Sequence, residues 1–104
     1  MSNQPALEEW NFQVLMLNQA LVGAISANFR MVVLLWSDDE WTLRFYLEEN
    51  IEEDVEEIED IVCQYTAYQD SRLRCRSELM VGLDRLPGLS EGGRVVYRRR
   101  EPID

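Results

Sequence analysis

Residues 47–60, LEENIEEDVEEIED, hold nine carboxylates in fourteen positions and no base. Carboxylates at that density can act as an acid–base pair, hold a hard cation, or attract a basic macromolecule. An acid–base pair needs two groups whose environments push their pKa values apart inside a cleft. A row of acids along an exposed helix flank offers no such split. The other acidic cluster, Asp38, Asp39 and Glu40, is too short for a calcium loop, which spreads its ligands over a longer segment with a glycine at the bend. It reads as a solvated turn, so neither a metal nor a cofactor is expected. Electrostatic attraction remains, and Glu52, Glu53, Glu56, Glu57 and Asp60, with Asp38, Asp39 and Glu40 beside them, are the expected partner-binding residues.

Two of the commonest catalytic residue types are missing. There is no histidine, and all ten bases are arginine, so no lysine either. Histidine is the commonest general base and metal ligand. Arginine stays charged and shuttles protons poorly. Two cysteines, Cys63 and Cys75, are too far apart for a C-x-x-C motif; both read as small buried or half-buried residues. No enzyme is expected.

The net charge of −10 is spread unevenly. Residues 1–71 set fifteen acids against Arg30 and Arg44, whereas residues 72–104 set eight arginines against five acids. An acidic body argues against direct contact with nucleic acid, whose phosphates call for basic side chains, and in favour of a basic partner. Arg30, Asp38 and Arg44 interrupt the best apolar runs, so no membrane span is expected. The N-terminus lacks the basic region and cleavage site of a signal peptide, and a cytoplasmic address is expected.

These residues need elements to position them. After Pro5, the residues Leu7, Trp10, Val14, Leu17 and Leu21 recur at helical spacing, and Gly23 ends that helix. Phe12, Leu15, Met16 and Val22 lie off the stripe, which suggests burial on two sides or a partner face. Residues 25–36 and 41–49 read as strands around the turn SDDE, a β-hairpin. Trp41, Leu43, Phe45 and Leu47 face one way; Thr42, Arg44 and Tyr46 face the other. Asn50 with Glu53 forms a capping-box pattern. Ile51, Val55, Ile58, Val62 and Tyr65 then line one helix face, with the acids opposite, and a turn follows at Asp70 and Ser71. Residues 72–81 alternate as a third strand, its arginines pairing with local carboxylates and guarding an edge. A loop with Pro87, Gly88, Gly92 and Gly93 leads to a last strand over residues 94–100, and residues 101–104 should fray. The whole is one α+β domain, residues 1–104, in the order α-β-β-α-β-β: two helices on one side of a mostly antiparallel sheet of about four strands. If the third strand lies beside the first, the acidic helix is the crossover between antiparallel neighbours.

The runs NFRMVVLLWSDDEWTLRFYLEE, EEDVEEIEDIVCQYTAYQD and VVYRRRE resemble those of small bacterial immunity proteins of contact-dependent growth inhibition and other polymorphic toxin systems. The likeness spans residues 10–101. It implies a cognate toxin held inactive by tight binding in the cytosol. Combined with the charge reading, the expected function is neutralisation of a basic toxin, a nuclease for preference, with Trp36, Trp41 or Tyr46 as aromatic anchor. The alternative is a structural or regulatory subunit that forms a homodimer through its apolar first helix.

Overall fold

The computed structural model describes residues 4–88 and 93–101. Its elements are α1 (Leu7–Leu21), β1 (Phe29–Ser37), β2 (Glu40–Leu47), α2 (Glu52–Thr66), β3 (Cys75–Val81) and β4 (Gly93–Arg98), in the expected order. The sheet order is β3-β2-β1-β4. β1 is antiparallel to β2 and β4, but β3 runs parallel to β2. The sheet is therefore mixed, and the third strand does not lie beside the first; β4 takes that place. The cause is the length of the crossover. After β2 the chain returns through α2, which carries it back to the starting end of the sheet, so β3 runs in the same direction as β2.

The helices pack on one face. Trp10, Leu17, Phe29, Val32, Leu34, Trp41, Leu43, Phe45, Leu47, Ile58, Ile61 and Tyr65 form the main core. Trp10 meets Trp41 edge-on at 4.9 Å, and the Arg94 guanidinium sits 4.4 Å over the Trp10 ring. The second face is not open as the alternation of β2 suggested. Thr42 and Tyr46 are buried: Thr42 accepts a bond from Arg76 Nε, and over Tyr46 the segment after β3 folds across the face and sets Leu86 against Met31, Val33 and Tyr46. Arg30 fastens this cover. It is the extra residue of a β-bulge between Phe29 and Met31, and its Nη1 donates to the Gly82 and Asp84 carbonyls at 2.8 and 2.9 Å.

Several element ends differ from expectation. The capping box does not form: the N-cap of α2 is Ile51, with no side-chain cap. Asn50 stands outside because Asn28 has already fixed the chain at Glu49, bonding both its N–H and its carbonyl. Residues 25–28 form a turn rather than strand, since Ser26 and Asn28 turn their side chains to Asp54. β3 starts at Cys75 after an Asp70–Arg72 turn closed by a 2.8 Å bond. Gly93 belongs to β4, where a Cβ would come within 3.1 Å of Leu35 Cδ2, and Gly92 lies outside the described residues. Glu101 does not fray but is held by two arginines; residues 102–104 lie outside the described residues. α1 buries one side only, leaving Leu7, Phe12 and Leu15 exposed, as is Val22 just beyond its end. Cys63 is exposed and Cys75 half-buried, both as free thiols.

The hairpin turn places Asp38 and Asp39 at φ 53° and 59°, both in the left-handed region that a two-residue type I′ connection demands. Aspartate tolerates that region; a β-branched residue does not. Asp39→Val is expected to lower stability by roughly 1–2 kcal/mol, read by chemical denaturation, while Asp39→Gly leaves it equal or higher.

Candidate partner-binding surface

The acidic helix is fixed by its polar contacts with α1 and the α1–β1 connection. Tyr65 donates its hydroxyl to Gln13 Oε1 at 2.5 Å. Gln13 Nε2 donates to Glu9 and Gln69 at 2.7 and 2.8 Å. Burial pushes the Tyr65 phenol well above its ordinary pKa, so it remains a neutral donor. At the other end, Asp54 accepts from Ser26 Oγ and Asn28 Nδ2, each at 2.9 Å. Asp54 is buried and so is structural, although it sits in the densest run of acids. These contacts turn one flank of α2 toward α1. Glu53, Glu57 and Asp60, at i, i+4 and i+7, share that flank above the contact. Glu56 stands on the crest. Glu52, Val55, Glu59 and Val62, at i, i+3, i+7 and i+10, share the other flank, toward β3.

Glu52, Glu53, Glu56, Glu59 and Asp60 are exposed and Glu57 is half-buried. Among the described residues none of the six forms an ion pair. The acids of the first turn complement the helix dipole, while Glu52–Glu56, Glu53–Glu57 and Glu56–Asp60 repel at i, i+4 spacing. The flank therefore adds little or nothing to folding.

The hairpin acids lie elsewhere. β2 runs from the hairpin to the start of α2, and its eight residues span about 25 Å at strand rise. Asp38 and Asp39 are exposed at the far end of that strand, while half-buried Glu40 lies 3.8 Å from Arg76. The eight expected residues thus form two separate patches, with the larger on α2. Among the described residues no group of three or more His, Cys, Asp or Glu is placed to hold a metal ion.

The arginines pair as the sequence suggests. Arg44 bonds Glu78 at 2.7 Å, Arg76 lies 3.2 Å from Glu78, and Arg72 closes on Asp70. The tightest cluster was not foreseen. Arg30 Nε and Nη2 clamp the two oxygens of Glu101, each at 2.7 Å. Arg99 adds 2.9 Å to Glu101 and 2.7 Å to Glu48. The clamp of Arg30 and Arg99 holds the Glu101 carboxyl down at about 2.

Of the expected anchors, Trp41 and Tyr46 are buried and Trp36 is half-buried, because all three belong to the packed hairpin. Tyr68, just past α2, is 96% exposed instead. Sequence reasoning also passed over Glu59, on the β3 flank, and the apolar run at the end of β3. Tyr68 falls beyond the helical stripe, which was a usable sign of exposure.

The model of the MafI2 immunity protein family matches residues 12–101. The chain belongs to this family. The resemblance to bacterial immunity proteins of polymorphic toxin systems is thereby borne out over nearly the same span. Membership carries the immunity role and, with it, a cognate toxin as partner. A search of curated proteins gives no match. Among the described residues no helix is long and apolar enough to cross a membrane.

Proposed function

We propose that the chain neutralises its cognate toxin by presenting the acidic outer surface of α2 to a basic surface of that toxin, most simply the substrate-binding cleft of a nuclease. The observation that carries this reading is that Glu52, Glu53, Glu56, Glu59 and Asp60 are exposed and, among the described residues, form no ion pair, while Arg30, Arg44, Arg72, Arg76 and Arg99 are paired elsewhere on the molecule. Net charge of this size steers a basic partner into encounter. Asp38 and Asp39 form a second acidic contact at the hairpin, and Tyr68 offers the aromatic anchor. In a contact-dependent system, binding takes place in the cytoplasm of the cell that receives the toxin. No step of bond making is assigned to this chain.

The test is co-expression with the cognate toxin domain, which this reading expects to be encoded immediately upstream. Cells making both should survive, cells making the toxin alone should not, and the purified chain should stop nucleic-acid cleavage at equimolar ratio. Survival without inhibition of cleavage would remove the nuclease. The exposed Leu7, Phe12, Leu15 and Val22 favour a second reading, self-association through α1; sedimentation showing a dimer insensitive to salt would support it.

A further inference from the structure

The end of β3 is unusual for a sheet edge. Leu79, Met80, Val81 and Leu83 are 38%, 46%, 48% and 68% exposed, four large apolar side chains within five positions. Among the described residues β3 is an edge strand, bonded on one side only, to β2. Trp41 N donates to the Arg74 carbonyl and Gly82 N donates to the Leu47 carbonyl. In a parallel ladder this makes the even-numbered residues 74 to 82 bond inward. The outward-facing N–H and C=O groups are therefore those of Cys75, Ser77, Leu79 and Val81.

Soluble proteins blunt such edges with charge, proline or a covering loop. Here exposed Arg74 and Arg76 guard only the first half of the strand. On the helix face, Leu79 and Val81 lie beside the flank of α2 that carries half-buried Val55 with Glu52 and Glu59. An apolar strip with free backbone groups and an acidic rim fits an extended chain whose side chains alternate between apolar and basic.

We infer that the free edge of β3, over Ser77–Val81, receives an extended apolar and basic segment of the toxin as a fifth strand of the sheet. The inference rests on the toxin-neutralising reading above and specifies a second contact beside the acidic one. A second copy of the chain suits the edge less well, since it would bring another −10 and a second set of α2 acids to the same rim.

The test is hydrogen exchange on the unaltered chain, free and bound to the upstream-encoded toxin domain, together with binding by two variants. The Ser77, Leu79 and Val81 amides should exchange readily in the free chain and slow by at least about tenfold in the complex. Leu79→Pro removes an outward N–H without touching the ladder to β2, and Leu79→Lys removes the apolar contact but keeps the N–H. Each should weaken binding by about tenfold or more. A tight, salt-sensitive complex that leaves these amides unprotected overturns the edge contact while sparing the acidic one. Protection in a complex whose association ignores salt does the reverse. Protection that grows with concentration of the free chain assigns the edge to a second copy and overturns the inference, and absence of any complex ends both readings.

Discussion

Glu101→Ala should lower the free energy of unfolding by about 3 kcal/mol, the scale expected when one partner of a buried ion pair is removed. Arg30 is only 5% exposed, and Glu101 supplies both of its charge-neutralising contacts. Without that carboxylate a guanidinium stays in the interior with two neutral carbonyls, those of Gly82 and Asp84. The same arginine holds the segment that covers the second face of the sheet, so the loss also loosens Leu86 over Met31, Val33 and Tyr46. Arg30→Met should cost less, because Glu101 keeps Arg99 and the vacated space is filled by an apolar chain. The pH dependence follows from the same clamp. Glu101 sits at about 2 in the folded chain against an ordinary 4.5. A depressed carboxyl contributes stability that is complete above its unfolded pKa and is lost as pH falls through the folded one. Denaturation measured from pH 5 to pH 2 should therefore show the unaltered chain losing up to about 3 kcal/mol more than Glu101→Gln across that window.

Reversing Glu53, Glu56 and Glu57 together to lysine should slow association with the cognate toxin by about 100-fold at low salt, since steered encounters reach about 10⁸–10⁹ M⁻¹s⁻¹ and unsteered ones about 10⁵–10⁶. Folding should change little. The three side chains make no ion pair among the described residues; reversal turns the Glu52–Glu56 and Glu56–Asp60 repulsions into attractions of a few tenths of a kcal/mol each, which offsets the first-turn dipole complement lost at Glu53, while positions 53 and 57 stay a like-charged pair. The contrast between a large kinetic effect and a small thermodynamic one separates a surface kept for binding from one kept for stability. Stopped-flow mixing and urea denaturation measure the two. The same substitution at Asp38 and Asp39 should act more weakly, because that patch is smaller and lies at the other end of β2.

The helices and the hairpin were legible because their signals are local. Ile51, Val55, Ile58, Val62 and Tyr65 carry a helical period, and Trp41, Leu43, Phe45 and Leu47 carry a period of two. What escaped was set by distant partners. The alternation of residues 72–81 says that one face is apolar but is the same for a central and an edge strand, so neither the parallel pairing with β2 nor the exposure of Leu79 and Val81 could be read from it. Glu101 looked like part of a frayed tail because nothing beside it in the chain points to Arg30, 71 positions away. Asn50 offered a cap that the chain does not use, because Asn28 had already fixed its neighbour. At the surface, the charge of α2 was readable, and so was its separation from Asp38, Asp39 and Glu40, because a strand over residues 41–49 between the turn and the helix sets them a strand length apart.

The central claim is that anionic α2 meets a cationic toxin, and the dependence of their association rate on ionic strength tests it most directly. With the unaltered chain and the toxin domain encoded upstream, the rate should fall steeply from low to physiological salt while dissociation changes little. A rate constant that stays level across that range would contradict the account.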